Sequence, residues 1–291
     1  MQALGTAAAV IVYGLGVSGI YALMAVGVAL IYGVGRVINF AHGAFYTLGA
    51  YLTYLMATRL ALPWPVAAAA AVLVVGLLGA AYDRYVLAPI REKEITVWIL
   101  TFATAFLVRE GLVLLLGARP YSIPSFVPGS TRLLGQSIAN QRLLIVVASA
   151  VALGLLWVLL YRTRTGKALR AVAQTRYGAH LVGIPVERAH AAVMGISAGL
   201  AALAGVLISP IAVVTPDMGF EPLLLSFTVV IFGGIGSLRG SLVAALLMGY
   251  ISTLVSFLVS PQYVTFSALA TVFLVLLVRP TGLFGAAVEG A

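Results

Sequence analysis

The stretch GLGVSGIYALMAVGVALIYGVGRVINFAHGAFYTLGAYLTY, residues 14–54, decides the fold because it joins two long apolar runs through a short polar segment. The first run has no charged side chain before Arg36, and the second begins within a few residues of it. An apolar run of about 17–25 residues is the length that crosses a hydrocarbon core about 30 Å thick. The stretch therefore predicts two consecutive helices that span a membrane.

Similar runs recur along the chain, whose 291 residues are 62% hydrophobic and only 9% charged. A soluble domain has roughly a quarter of its residues charged, and the alternating pattern of a membrane β-barrel is absent from the sequence. The sequence predicts an all-α, polytopic integral membrane protein with a single transmembrane domain over residues 1–291. The predicted spans are residues 8–32, 40–60, 65–88, 95–117, 142–161, 189–210, 222–235, 241–259 and 262–278. The span at 222–235 is too short to cross upright, so we expect about eight to nine transmembrane helices with at least one short or broken.

The basic residues predict the orientation of the helices. The net charge is +9, but the basic residues lie between apolar runs rather than on one soluble face, which disfavours nucleic-acid binding. If residues 162–188 are cytoplasmic, twelve of the 17 Lys and Arg residues lie inside, four lie outside, and Arg109 falls within a span. Because cytoplasmic loops are enriched in Lys and Arg, we expect the N-terminus outside and the C-terminus inside. No Lys or Arg precedes Arg36, so the first span lacks the start of a secretory signal and is expected to remain in the mature protein.

Two hydrophilic segments interrupt the apolar pattern. Residues 118–141 are rich in Pro, Ser and Gly, which predicts an external loop. Residues 163–188 show apolar side chains at helical spacing until Gly-Ile-Pro ends the pattern, which predicts a cytoplasmic helix. This helix is either a docking surface for a soluble partner or a solvated basic stretch that only enforces topology.

The sequence contains no recognisable catalytic or metal-binding pattern. The phosphate-binding motif G-x-x-x-x-G-K-[ST] is absent, and the segment GGIGSLRG has the glycines of such a loop without its Lys-Ser/Thr. His42, His180 and His190 have no carboxylate or Cys companions at ligand spacing, and the chain has no cysteine. We expect neither an enzyme nor a metal site, and no cofactor bound by this chain.

Arg109 and Glu110 fall about two-thirds of the way through the predicted span 95–117, away from its ends. An isolated charge at the centre of a bilayer costs at least about 2.5–3.5 kcal/mol on insertion scales. The two side chains either snorkel to the headgroups or pair with other helices, or else they line a water-filled vestibule. A single off-centre pair disfavours coupling to an ion gradient.

Small residues predict where helices pack closely. Gly195 and Gly199 form a GxxxG pair, and Gly205 belongs to a second row of small residues four apart, with Ser197, Ala201 and Ser209. Packing against neighbouring spans is the simplest role for them. A second group, Gly233, Gly234 and Gly236, permits a sharp bend.

Four blocks of the sequence resemble the permease subunits of branched-chain amino-acid ABC importers. Residues 14–54 resemble the first-helix signature of this family, and the core INFAHG favours the LivH-type over the LivM-type subunit. RTRTGKALRAVAQTRYGAHLVGIPVERA resembles the cytoplasmic coupling segment, while VIFGGIGSLRGSLVAALLMG and RPTGLFG match two further blocks. The blocks occur in family order over essentially the whole chain.

The resemblance implies a role within a larger assembly. Such a permease pairs with a homologous LivM-type permease, is driven by two cytoplasmic ATPase subunits that bind ATP and Mg, and receives substrate from a periplasmic or extracellular binding protein. It also implies an interface for the ATPases within residues 163–188. The residues assigned to that interface are Ala173, Tyr177, Gly178, Ala179, Gly183, Ile184 and Pro185.

The sequence departs from the family pattern at three places. The coupling motif usually begins Glu-Ala-Ala, whereas this chain has Tyr177, Gly178 and Ala179 there and keeps a glycine at 183. Relatives usually read INFAHGE, whereas this chain has Ala44, and Arg109 stands where relatives often carry a neutral amide. The first departure puts one polar contact with the ATPase in doubt, and Ala44 puts a preference for leucine, isoleucine or valine in doubt.

The polar joint between the first two spans is the candidate gate. Gly35 is expected near the end of the first helix, with Asn39 as N-cap of the second and His42 in its first turn. The residues proposed to line the path or gate are Asn39, His42, Tyr46, Arg109 and Glu110. The topology places the joint near the inner face, and the alternative is that it merely ends one span and starts another.

The expected function is therefore ATP-driven import of branched-chain or related amino acids across a bacterial or archaeal inner or cytoplasmic membrane, with hydrolysis in separate subunits. One alternative is the same importer class acting on urea, short amides or other amino acids. The other is an ion-coupled secondary transporter.

Overall fold

The computed structural model describes residues 2–133 and 136–285, which are almost entirely helical. The helices are α1 (Gln2–Gly35), α2 (His42–Arg59), α3 (Trp64–Tyr82), α4 (Glu94–Leu116), α5 (Asn140–Arg162), α6 (Arg164–Gln174), α7 (Arg176–Leu181), α8 (Val186–Ile208), α9 (Phe220–Gly233), α10 (Leu238–Leu258) and α11 (Val264–Val278). A π turn and a 3-10 turn extend α3 to Ile90. Each of the nine predicted spans corresponds to one helix.

Seven helices in the described part of the chain are long and apolar enough to cross a membrane. Helix α9, with 14 residues, is too short for an upright crossing, as the sequence predicts. Helix α2 has 18 residues but is the most polar of the long helices. The predicted class, an all-α polytopic membrane protein with a short helix, is confirmed.

The bundle has two ends, which we name by what they carry. The basic end carries α6, α7, the ends of α1 and α9 and the start of α8, since Arg176 bonds to Gly35 and Leu283 bonds to Phe232 there. The hairpin end carries two short strands, β1 (Ser130–Leu133) and β2 (Gln136–Ala139), which pair antiparallel. The predicted loop 118–141 therefore contains a β-hairpin. Tyr121 of the same loop forms a β-bridge with Val214, which holds the loop against the segment that follows α8.

Helices α1 and α8 form the buried centre, where glycines allow backbones to touch. A Cβ at Gly49 of α2 would lie 2.5 Å from the carbonyl oxygen of Ala202 in α8. A Cβ at Gly195 would lie 3.0 Å from the carbonyl oxygen of Gly76 in α3. By contrast, α4 and α11 are mostly exposed and present many large apolar side chains. Those two helices therefore have apolar faces available for lipid or for another subunit.

The predicted single cytoplasmic helix is wrong in one respect, because the segment forms two helices. Thr175 is extended, with φ of −156°, and it separates α6 from α7. The hydroxyls of Thr163 and Thr175 accept hydrogen bonds from the N–H groups of Gly166 and Gly178. Each threonine thus caps a new helix, and this T-x-x-G spacing is a signal that the apolar periodicity hid.

The joint between α1 and α2 runs deep into the bundle. Helix α1 ends at Gly35, and residues 36–41 are not helical. His42, the first residue of α2, places Nε2 3.2 Å from the carbonyl oxygen of Met24. Met24 precedes the end of α1 by eleven residues, which is about 16 Å at 1.5 Å per residue. The expected position near the inner face is therefore wrong for His42, because the chain re-enters the bundle before α2 starts.

Asn39 is also not the N-cap of α2, which is Ala41. The Asn39 side chain instead closes a short turn, in which its Oδ1 accepts a hydrogen bond from the N–H of Ala41 at 2.9 Å. An asparagine two residues before a backbone N–H commonly makes this turn. The sequence located the polar side chain correctly but assigned its bond to the wrong element.

Candidate functional site

A cleft runs along one side of α4, where this helix stands away from α1, α2 and α9. It contains two cavities. The middle chamber, a narrow and partly open groove, is lined by Phe40, Gly43, Ala44, Thr47, Ala105, Val108, Arg109, Pro216, Gly219, Phe220 and Leu223. The basic-end chamber, which is wider and also partly open, is lined by Val28, Tyr32, Arg36, Ile38, Phe40, Glu94, Trp98, Phe227, Val230, Ile231 and Ile235. Phe40 belongs to both walls.

Helices α2 and α9 both begin beside the middle chamber. Their first turns touch so closely that a Cβ at Gly43 would lie 2.6 Å from the carbonyl oxygen of Gly219. The Thr47 hydroxyl donates to the carbonyl oxygen of Gly43 at 3.2 Å and faces the same chamber. Helix N-termini carry N–H groups without helical partners and a partial positive charge. The closeness of the two glycines explains why neither position carries a side chain.

The mouth of the middle chamber carries a charged cluster. Arg109 donates from Nε to Asp217 Oδ1 at 2.6 Å and from Nη2 to Asp217 Oδ2 at 3.4 Å, and it also pairs with Glu110. The side chains of Asp217 and Glu110 are about half exposed. Arg109 lies seven residues before the end of α4, or about 10 Å along the axis. A guanidinium and two carboxylates thus meet where the chamber opens.

Aromatic rings fill the wall between the two chambers. Phe40 packs edge-to-face on Phe102 of α4, with ring centroids 5.8 Å apart, and on Phe227 of α9, with centroids 5.5 Å apart. Phe106 continues the row by contacting Phe102 and Phe220. The rest of the cleft between these rings and the charged mouth is lined mainly by small and aliphatic side chains.

The structure does not bring all the predicted path residues to this cleft. Arg109 lines the middle chamber, and Glu110 pairs with it. Asn39, His42 and Tyr46 are instead buried among helices, with His42 fully enclosed between α1 and α8. The His42 Nδ1 lies 3.5 Å from Ser197 Oγ, whose hydroxyl donates to the carbonyl oxygen of Gly27. His42 therefore fixes the start of α2 rather than facing a cavity.

A buried polar cavity at the basic end was missed by the sequence reasoning. Asp83 pairs with Arg91 at 2.8 Å, and Arg91 also bonds to Glu187 at 2.6 Å. Asn39 and His190 share the cavity with this ion pair, and no hydrogen-bond partner within the described residues reaches His190 Nε2. An Asp near the end of an apolar span was the available signal, but no local pattern indicates that its partner is Arg91.

The predicted coupling residues lie on an exposed ridge at the basic end. Tyr177, Leu181 and Val182 are 76%, 71% and 72% exposed. Gly183 follows with φ of +74°, and no heavy atom lies within 4 Å of a Cβ placed there. Beneath the ridge, Ala179 is buried, and Ala173 and Ile184 pack against the core. Gly178 is half-buried and Pro185 is exposed, so the segment has one apolar face outward and one inward.

Four of the six predicted packing and hinge glycines, Gly195, Gly205, Gly233 and Gly234, lie at close contacts, while Gly199 and Gly236 lie at ordinary van der Waals distance from their neighbours. Gly195 and Gly199 face Gly76 of α3, and Gly205 faces Tyr46 of α2. Gly233 approaches Gly240, and its carbonyl oxygen accepts a hydrogen bond from Phe284 N at 3.1 Å. Gly234 and Gly236 have φ of +99° and +83°, which turns the chain between α9 and α10.

Comparison with known proteins places almost the whole chain in one family of membrane permeases. The family described as "Branched-chain amino acid transport system / permease component" matches residues 10–278. The high-affinity branched-chain amino acid transport system permease protein LivH of Salmonella typhimurium is 31% identical over 280 residues, which cover 91% of each chain. The corresponding protein BraD of Pseudomonas aeruginosa is 31% identical over 290 residues, which cover 94% of each chain.

Among solved structures, the chain is similar to one in PsaBC from Streptococcus pneumoniae in complex with Fab. The TM-score is 0.54 at 16% identity, and the match covers 92% of this chain and 91% of that chain. At this identity the likeness concerns the fold alone. The overall course of the chain described above is therefore similar to that of a chain in a solved structure.

Proposed function

We propose a transport mechanism that proceeds from one premise, namely that the chain belongs to the permease family of branched-chain amino-acid transport systems. The chain is a multi-pass membrane permease subunit rather than a complete transporter. We infer that it moves branched-chain or related amino acids along the cleft beside α4. It does so as one half of a permease pair in an ATP-driven importer.

The observation that carries this proposal is the composition of the middle chamber. Its walls are mainly aliphatic and aromatic, while Arg109, Asp217 and Glu110 meet at its mouth. An amino acid with an aliphatic side chain has the complementary pattern, since its carboxylate can replace Glu110 on the Arg109 guanidinium and its ammonium can pair with the carboxylate so released. Urea and short amides have no charges to match, so the cluster favours the zwitterion.

The exposed apolar face of α4 supports a pair of permeases. Leu107, Leu114 and Leu115 are among its exposed side chains, and the cleft is open beside this helix. A path for a zwitterion must be shielded from lipid, because a charged group in hydrocarbon is costly. We propose that a second, LivM-type permease covers the open side of the cleft.

The ridge formed by Tyr177, Leu181 and Val182 supports docking of the ATPases. Such apolar side chains at the aqueous end of a membrane protein are expected to be covered by a soluble partner. The proposed orientation places the basic end in the cytoplasm, in agreement with the excess of Lys and Arg. Two ATPase subunits would bind ATP and Mg there, and a binding protein would deliver substrate at the hairpin end.

The proposal can be tested by reconstituting this chain in liposomes with the second permease, the two ATPase subunits and the binding protein. We expect uptake of leucine, isoleucine or valine that depends on ATP and on the binding protein. Urea and acetamide in the same assay test the alternative substrates. Uptake by this chain alone, driven by an ion gradient without ATPase, would contradict the proposal in favour of a secondary transporter.

A further inference from the structure

We propose that Phe40 is the side chain that closes the path between the middle chamber and the basic-end chamber. This inference rests on the proposed function, because it assumes that substrate moves along the cleft. Phe40 is the residue that contributes to the walls of both chambers. It was absent from the residues that the sequence suggested for the path.

The position of the ring supports a closing role. Phe40 lies between Phe102 of α4 and Phe227 of α9, and both contacts are edge-to-face. The three rings therefore bridge the two helices that face each other across the cleft. An apolar constriction of this kind excludes water and charged solutes by dewetting, without any charged gate. A zwitterion in the middle chamber would be stopped at the rings.

The backbone around Phe40 explains how the ring can be held and released. Phe40 lies in the non-helical segment 36–41, so moving it breaks no helical hydrogen bond. Its N–H donates to Thr101 Oγ1 at 3.3 Å, and Thr101 is fully buried in α4. One long hydrogen bond and two ring contacts therefore hold the constriction, whereas neighbouring His42 is enclosed by helices on all sides.

The segment also begins at an unusual conformation. Arg36 has φ of +56°, in the left-handed region that a non-glycine residue seldom occupies. Strain of this kind persists only where the surroundings impose it, and it is common at switch regions. Beyond Arg36, residues Val37, Asn39 and Ala41 are buried, so we expect the Phe40 ring to leave the cleft by rotation of its own side chain rather than by a swing of the segment.

The first test measures leakage in the full reconstituted importer, with radiolabelled leucine inside the liposomes and no ATP. We expect Phe40→Ala to raise passive efflux about tenfold or more, because the apolar barrier is lost. Phe273→Ala is the matched control, since Phe273 is an exposed ring on α11 away from the cleft. Efflux from Phe40→Ala equal to that from the control would overturn the proposal. If the unaltered importer takes up leucine with ATP, the proposed function stands independently of this result.

A second test does not depend on transport. The chain has no native cysteine, so Ala44→Cys reports on the middle chamber and Ile231→Cys on the basic-end chamber. A membrane-impermeant thiol reagent should label each cysteine from one side only. Adding Phe40→Ala should let both be labelled from both sides, and Phe40→Trp should keep the labelling one-sided. One-sided labelling in the Phe40→Ala background would show that another residue closes the path.

Discussion

The guanidinium of Arg176 donates a 2.7 Å hydrogen bond to the carbonyl oxygen of Gly35. This bond joins the first residue of α7 to the last residue of α1, although the two lie 141 positions apart. A cation at a helix C-terminus is favourable because the last carbonyl groups have no helical partners. Gly35 directly precedes the segment that carries Phe40, so movement of α7 can reach that segment through this bond.

Loss of the Arg176 bond should uncouple hydrolysis from transport. We expect Arg176→Gln to lower the number of leucine molecules imported per ATP hydrolysed, while the importer still assembles. Arg176→Lys should restore part of the coupling, because its ammonium can also donate to a carbonyl oxygen. Arg164→Gln, at an exposed position of α6, is the control. Equal import per ATP in Arg176→Gln and the control would rule out this linkage.

Gly183 provides a test of the docking ridge. We expect Gly183→Arg to abolish binding-protein-stimulated ATP hydrolysis, because the new side chain would project from the exposed ridge. The protein should still fold, since no heavy atom lies within 4 Å of a Cβ there. Gly183→Ala shares the cost of a positive φ but adds little bulk. Copurification of the ATPases should therefore be lost in the Arg variant and kept in the Ala variant.

The charged mouth of the middle chamber should determine affinity. Removing the guanidinium with Arg109→Gln leaves no cation to receive the substrate carboxylate, so we expect the KM for leucine uptake to rise several-fold. Arg132→Gln, in β1 on the exposed hairpin, is the matched control. An unchanged KM in Arg109→Gln would place substrate recognition elsewhere in the cleft.

Asn39 tests whether the turn before α2 matters for transport. Asn39→Leu would leave the N–H of Ala41 without its acceptor, and an unsatisfied buried group costs about 1–3 kcal/mol. We expect lower uptake per folded importer and a lower unfolding temperature in detergent. The other contact of Asn39, a 3.3 Å hydrogen bond from Nδ2 to Met194 Sδ, can be removed separately by Met194→Leu. If the two variants behave alike, the bond to Ala41 is not the important one.

Close packing of α2 on α8 should make Gly49 intolerant of any side chain. A Cβ there would meet backbone atoms of Ala202, which cannot rotate away. Overpacking of this kind costs about 1–3 kcal/mol, so Gly49→Ala should lower both yield and unfolding temperature. Gly154→Ala in α5 is the control, because nothing lies within 4 Å of its Cβ. It should be neutral or slightly stabilising, since alanine favours helix.

The sequence by itself determined the class, the helices and the short α9, because hydropathy and helix length are properties of contiguous residues. It also located the hydrophilic segment that forms α6 and α7, and the polar joint between α1 and α2. It misplaced the cap of α2 and joined α6 to α7, because apolar periodicity does not register which hydroxyl or amide accepts a given N–H.

Only the tertiary structure decided which distant residues meet. Arg109 pairs with Asp217, which lies 108 positions away in the sequence, and Arg176 bonds to Gly35, which lies 141 positions away. Phe40 reads in sequence as one more apolar residue, yet the re-entry of residues 36–41 sets it between α4 and α9. The physical reason is that the choice of partner depends on how closely two helices approach each other and on the depth in the bundle at which each helix starts. Those quantities are set by contacts between backbones, such as that of Gly49 with Ala202; a local pattern of small residues indicates close packing but does not indicate which helix is the partner.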